Sequence, residues 1–308
     1  MLKKKGMKMK YYLPADVPAD KEVLFLENFE KTTGGSGRLM LFAGDQKVEH
    51  LNNDFYGEGI PPEDNDPEHL FKIASQADIG VFATQFGLIS RYGRDYSDIP
   101  YLVKLNAKTN LIPYSAKDPY SEQWLEVEDI TQFQRNSGLN ICGVGYTVYL
   151  GSEHEHKMLR EAARIVHEAH LNGLIAVLWI YPKGTFVDDE HDGHLIAGAA
   201  GVGAALGADF IKLKVPYREG NFDPQALKEV TTAAGRAGIL CEGGDKRGRE
   251  AFLSELHTQI HEGGSRGNGT GRNIHQRSLK EGIAMANAIY AITAKNASLE
   301  EAMRIIKG

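Results

Sequence analysis

The chain has 308 residues, of which 42% are hydrophobic and 25% charged, with a formal net charge of −6. That is enough apolar material for a large core, and the mildly acidic balance gives no reason to expect a nucleic-acid partner, which favours a basic surface. Two cysteines, Cys142 and Cys241, lie in apolar segments and fit a reduced, cytoplasmic protein, and no apolar run reaches the ~18 residues of a membrane helix.

The start, Met1–Lys10, is basic but lacks the apolar core of a signal peptide, and reads as a solvated tail or an arm used in assembly. From Leu39 onward, short apolar runs rich in β-formers alternate with helical patterns. The strand-like runs are 39–43, 79–83, 101–105, 140–144, 174–180, 210–215, 239–242 and a Gly-rich stretch at 267–270. The clearest helix spans 153–172, with Met158, Leu159, Ala162, Ile165, Val166 and Ala169 on one face and a stop at Asn172-Gly173. Another spans 224–237, closed by Gly238. Residues 45–66 and 112–134 read as long insertions, the second part loop and part helix.

Eight near-continuous apolar strands alternating with helices predict a parallel sheet buried on both faces. Pattern alone leaves a closed barrel and an open doubly wound sheet as alternatives. The chemistry at the strand ends favours a single (β/α)8 barrel over residues 39–308, preceded by an extension and leading helix over 1–38, because such barrels carry their catalytic residues at the C-terminal ends of their strands.

The first strand ends in Gly44-Asp45, an acid suited to proton transfer or to orienting a hydroxyl, or else a helix N-cap. Trp179 and Tyr181 end the fifth strand two residues apart, hence on one face. A tyrosine hydroxyl there can pass protons; aromatic core packing is the alternative. The sixth strand, Phe210-Ile-Lys212-Leu-Lys214-Val215, is the most unusual. Lysine is rare inside buried strands, and burial beside a second cation favours the neutral amine that imine formation needs. The alternative is an edge strand with both lysines in water, against which the flanking apolar residues argue. After the seventh and eighth strands stand two Gly-rich turns, Gly243-Gly244-Asp-Lys246 and Gly271-Arg272. This is the usual phosphate position in a barrel: glycines let backbone N–H groups approach the anion, and Lys246 and Arg272 supply charge.

Other motifs carry less. The run Gly198–Gly207 has the glycine spacing of a dinucleotide loop but precedes a strand instead of following one, so it reads as a small-residue helix packed on the sheet. The sequences around His154–His156 and His191–His194 lack the spacing of a metal site.

Taken together and in order, Gly-Asp45, Trp179-x-Tyr181, Ala-Asp-x-Ile-Lys212, Gly243-Gly244-x-Lys246 and Gly271-Arg272-Asn273 resemble the archaeal-type class I fructose-1,6-bisphosphate aldolases, over roughly Leu39 to the C-terminus. The resemblance implies Lys212 as the Schiff-base lysine, Asp45 in proton transfer during imine formation, Tyr181 in proton transfer at C4 and at the enamine carbon, and Trp179 as a pocket wall. It places phosphate at Gly243, Gly244, Lys246, Gly271 and Arg272. It selects Lys212 over Lys214, a choice that physical reading alone leaves open, and gives Lys214 a supporting or phosphate-binding role. It implies no metal or other cofactor, since the protonated imine is the electron sink, and a sugar phosphate as substrate. It also implies a homo-oligomer of up to decamer size. Related lysine-dependent aldolases, transaldolases or acyltransferases acting on another ketose phosphate are the alternative, followed by a non-catalytic sugar-phosphate binder. One departure stands at Gln46-Lys47, where many family members have His-Gly after the aspartate.

Overall fold

The computed structural model describes residues 12–113 and 116–307; the reading of Met1–Lys10 lies outside them. Eight parallel strands close into a barrel: β1 (Leu39–Ala43), β2 (Val81–Gln85), β3 (Tyr101–Lys104), β4 (Ile141–Leu150), β5 (Ile175–Pro182), β6 (Phe210–Leu213), and, after a small antiparallel hairpin of β7 (Tyr217–Arg218) and β8 (Asn221–Phe222), β9 (Gly238–Glu242) and β10 (Gly267–Thr270). Each barrel strand pairs with its neighbours in chain order, and β10 closes on β1 through Leu39↔Gly267 to Phe42↔Thr270. The eight expected strands are all present. The third and sixth end earlier than expected, at Lys104 and Leu213, and the fourth runs on to Leu150.

Helices fill the crossovers. The first half of the chain carries α1 (Glu22–Thr33), α2 (Gln46–Glu49), α3 (Glu68–Gln76), α4 (Phe86–Tyr92), α5 (Val127–Ser137) and α6 (Glu155–Leu171). The second half carries α7 (Gly193–Ala205), α8 (Pro224–Ala233), α9 (Arg249–His261), α10 (Arg272–His275), α11 (Leu279–Lys295) and α12 (Leu299–Lys307). Local chemistry sets their starts. Asp223 caps α8 by accepting from Gln225 N and Ala226 N, each at 3.0 Å, with Pro224 pre-set for the first turn. Asp192 caps α7 by accepting from Leu195 N at 2.7 Å. The Gly198–Gly207 run lies mostly within α7 and packs tightly: a Cβ at Gly203 would stand 2.7 Å from Ile211 Cδ1.

Side chains on each barrel strand alternate between two cores. The outer core lies between sheet and helices and includes Phe42, Phe82, Tyr101, Val103, Val144, Leu178, Ile180, Ile211 and Cys241. The inner core fills the barrel with Leu39, Leu41, Val81, Ala83, Leu102, Ile175, Val177, Trp179, Phe210 and Leu240. The same alternation turns Lys104, Lys212 and Glu242 inward at the C-terminal ends of their strands. The interior is therefore apolar at the bottom and charged at the top.

The bottom is closed by the leading segment. Phe25 and Val17 join the inner core, Phe29 stacks on Phe210 at 5.5 Å, and Asn28 Nδ2 donates to Gly173 O at 2.8 Å. A buried imidazole fastens this plug. His170 Nδ1 lies 2.9 Å from Asp16, and Nε2 lies 3.3 Å from Asp209, whose Oδ2 also accepts from Ala176 N. Burial alone would push His170 down. Hydrogen bonds and charge from Asp209 and Asp16 outweigh it and raise the imidazole to about 9. Because the folded value lies above the unfolded ~6.5, this stabilisation is fully present below pH ~6.5 and is lost as pH rises through about 9. We predict that His170→Gln lowers the urea midpoint strongly at pH 6, with the gap to wild type narrowing between pH 7 and 10. A gap of the same size at pH 6 and pH 10 would contradict the charged pairing.

Candidate active site

The charged layer opens into a cavity at the C-terminal mouth. It is lined by Asp45, Gln46, Glu49 and His50 just after β1, by Trp179 and Tyr181 of β5 with Lys183 just past its end, and by Lys212 of β6 with Lys214 just past its end. Glu242, Gly243 and Gly244 follow β9, and Gly269, Gly271 and Arg272 complete the wall.

Lys212 is 7% exposed, and its Nζ donates to the Tyr181 hydroxyl at 2.9 Å. The ammonium lies 5.6 Å from the centroid of Trp179, which pairs directly with Lys212 across β5 and β6. Its stem fits because residue 269 has no side chain: a Cβ there would stand 2.6 Å from Lys212 Cε. Burial raises the Tyr181 phenol well above its ordinary range, reinforced by Glu242, Glu49 and Asp45 and opposed by Arg272. Tyr181 is thus held as a neutral phenol, able to accept from an amine while offering its own proton.

Asp45 sits at the N-cap of α2, yet its side chain makes no capping bond, so the N-cap reading does not account for it. Trp179 fills the barrel centre, where a Cβ at Gly145 would meet its Cζ3. Its indole Nε1 is buried with no partner among the described residues, and so is Gln46 Oε1.

The two lysines of β6 part company. The strand ends at Leu213, so Lys214 stands at the rim, where its Nζ is 2.7 Å from Glu190. Glu190 also lies 3.8 Å from Lys183. Burial pushes the Lys183 ammonium down, opposed by Glu190 and assisted by Lys214. Lys212 alone of the pair is the inward-facing strand lysine.

The Gly243–Gly244 and Gly271–Arg272 turns lie side by side, with Gly243 N donating to Gly269 O and Asn273 Nδ2 donating to Gly243 O. Arg272 Nε lies 3.7 Å from Asp54, and Nη1 is paired with Asp245. Lys246 is placed differently from the other expected phosphate ligands. Its Nζ donates to Gly59 O at 2.7 Å, and it borders an adjoining hollow with His191, Lys214 and Arg247 rather than the Lys212 cavity. His194 is exposed and paired with Glu229. Among the described residues no group of three or more His, Cys, Asp or Glu is placed to hold a metal ion.

Four site residues escaped sequence reading. Lys104 is 2% exposed and donates to Asn106 O at 3.2 Å, to Asn106 Oδ1 at 3.3 Å and to Thr147 Oγ1, over the Trp179 ring. Burial lowers its ammonium, opposed by Asp45 and Glu49 and assisted by Lys212. A lysine inside an apolar strand was the signal used at Lys212, and it was equally present here. Glu49, which accepts from Tyr149 OH at 3.0 Å, stands one helical turn after Asp45. Glu242 follows inward Leu240 by two residues, and Lys183 follows Tyr181 by two.

Residues 39–277 match the DeoC/LacD family of aldolases. The chain belongs to that family. It is 52% identical over 307 residues to a Methanocaldococcus jannaschii protein named fructose-bisphosphate aldolase/6-deoxy-5-ketofructose 1-phosphate synthase, covering 100% of this chain and 96% of the relative. It is 33% identical to the Thermoproteus tenax fructose-bisphosphate aldolase class 1, covering 86% and 94%. Among solved structures, the fructose-bisphosphate aldolase of Slackia heliotrinireducens superimposes with a TM-score of 0.95 at 50% identity, covering 99% of this chain and 96% of that one. The resemblance drawn from the five motifs is borne out, and the chain is an aldolase.

In this DeoC/LacD aldolase the bare α-carbon of Gly269 sets where the lysine can stand. We predict that Gly269→Ala leaves the fold intact, because the clash falls on a flexible stem, but lowers kcat by roughly 10²-fold by displacing the amine about 1 Å. Circular dichroism and steady-state kinetics on one preparation check this. Wild-type kcat would show that the glycine does not hold the lysine.

Proposed function

We propose that the chain is a class I, metal-independent fructose-1,6-bisphosphate aldolase. It would cleave the bisphosphate reversibly to dihydroxyacetone phosphate and glyceraldehyde 3-phosphate. The observation that carries the reading is the buried Lys212 amine bonded to Tyr181 at 2.9 Å beside two glycine turns.

The Lys212 amine adds to the C2 carbonyl. The carbinolamine loses water, with Asp45 as the proton carrier, to give a protonated imine. The C4 hydroxyl gives its proton to the Tyr181 oxygen as the phenol passes its own to the carboxylates around it, Glu242, Glu49 and Asp45; the C3–C4 bond breaks, and its electron pair moves into the imine to form an enamine. Glyceraldehyde 3-phosphate leaves, C3 takes a proton back from Tyr181, and hydrolysis frees dihydroxyacetone phosphate and Lys212. Each group acts from a fixed position, so the catalytic gain is that of oriented acid–base and covalent catalysis. The C1 phosphate is received by the Gly243–Gly244 and Gly271–Arg272 backbone.

A second reading is favoured by the charge of the far wall. Glu49 stands there beside His50 and Lys183, and with Asp45 one turn earlier it puts two carboxylates on that wall against one lysine, a weaker lining for a second phosphate than for a hydroxyl. A monophosphorylated ketose, as in the second half of the Methanocaldococcus jannaschii relative's name, would suit that wall.

Cleavage of fructose 1,6-bisphosphate and of fructose 1-phosphate, each in excess chelator, separates the two. The first reading expects turnover to survive chelation and kcat/KM to fall at least tenfold without the C6 phosphate. Equal kcat/KM would transfer the assignment to the monophosphate reading, and complete loss with chelator would overturn the metal-independent mechanism.

A further inference from the structure

Buried polar atoms in folded proteins are almost always hydrogen-bonded, and the exceptions call for an explanation. Several orphans lie in this chain, and two of them, Gln46 Oε1 and Trp179 Nε1, belong to residues lining the Lys212 cavity. Trp179 is a wall residue whose place is already explained by packing. Gln46 is not. It opens the short helix α2 directly after Asp45, and its amide lies on the bare α-carbon of Gly271, where a Cβ would collide with Gln46 Nε2. One residue on is Arg272. The amide is therefore wedged between the proton-transfer carboxylate and the phosphate turn. Its oxygen has no surface open to water and is unmatched by any donor among the described residues, while the residue itself lines the cavity.

We propose that Gln46 is a specificity-determining residue, whose buried amide oxygen accepts a hydrogen bond from the C3 hydroxyl of the ketose phosphate. The assignment rests on the reading that C2 bonds to Lys212 and the C1 phosphate sits in the glycine turns. On that reading C3 carries the first free hydroxyl beyond the imine carbon, and it faces the β1 wall, where Asp45 and Gln46 stand. A neutral acceptor suits this place. It takes a hydroxyl proton without setting another negative charge beside a phosphate dianion. It also leaves an energetic mark: the oxygen is unpaired in the free protein, so a substrate with that hydroxyl gains the bond and one without it gains nothing.

The test uses the full-length protein and two ligands that differ only at that hydroxyl, dihydroxyacetone phosphate and hydroxyacetone phosphate. The first is measured by its KM in aldol condensation with glyceraldehyde 3-phosphate, the second by its KI against the first. Gln46→Leu keeps the packing on Gly271 but removes the acceptor. KM for dihydroxyacetone phosphate should rise roughly five- to tenfold while KI for hydroxyacetone phosphate stays within about twofold. Gln46→Glu keeps an acceptor oxygen and adds charge, so both constants should rise together and their ratio should stay that of wild type. The proposal is overturned if Gln46→Leu shifts both constants equally, or neither, or if Gln46→Glu loses discrimination as Gln46→Leu does. Failure of the underlying reading would look different: wild-type protein would neither condense dihydroxyacetone phosphate nor be inhibited by hydroxyacetone phosphate.

Discussion

A lysine buried on an inner strand of a barrel is the constraint on which the rest of this architecture depends. Taking an isolated charge out of water is costly unless polar partners surround it. Around Lys212 those partners come from several strands. Tyr181 on β5 accepts its hydrogen bond, Trp179 presents a ring face, and Gly269 on β10 gives its stem room. Asp45, Glu49 and Glu242 supply negative charge around the same Tyr181 hydroxyl. A second buried lysine, Lys104, also lies over the Trp179 ring, with all its donors engaged.

The surrounding loops hold this layer in place. Residues 45–66 fold back over the barrel mouth and are fastened to the last strand's turn. Buried Asp64 and His275 pair at 2.8 Å, His275 stacks on Phe55 at 4.9 Å, and Gln276 Nε2 donates to Asp54 O. Lys246 donates to Gly59 O, which explains why it is turned away from the Lys212 cavity. Asp54 is 8% exposed, and its carboxyl is held below its ordinary range: burial alone would raise it, and His50 and Arg272 outweigh that. One carboxylate thus backs two side chains of the cavity wall, and His50 after α2 and the arginine after β10 are positioned as a unit. At the opposite end the plug around Phe25, Phe29 and His170 packs against the barrel, and the Lys212 cavity opens on the charged side.

Much of this was legible because period-2 alternation and strand-end chemistry are local signals. The eight strands, the small-residue helix and the convergence of Asp45, Trp179, Tyr181 and Lys212 followed from short stretches of sequence. The rest depended on geometry that sequence does not state. Strand length decided that Lys214 leaves the sheet and pairs with Glu190, a residue 24 positions earlier on another loop. Where Lys246 stands could not be read, because its partner, Gly59, is 187 residues away. Lys104 and Glu242 were readable in principle, since each sits two residues from an inward apolar neighbour, but which face is inward emerges only when the barrel closes. Gln46 could be seen as a departure from its family's pattern; that its oxygen is buried and unpaired could not.

The central claim is that Lys212, and no other lysine, is the nucleophile. Reduction with borohydride in the presence of dihydroxyacetone phosphate, followed by peptide mapping, tests it most directly. The account predicts one reduced adduct, on Lys212. An adduct on Lys104 or Lys214, or none on a folded protein that turns over substrate, would contradict it.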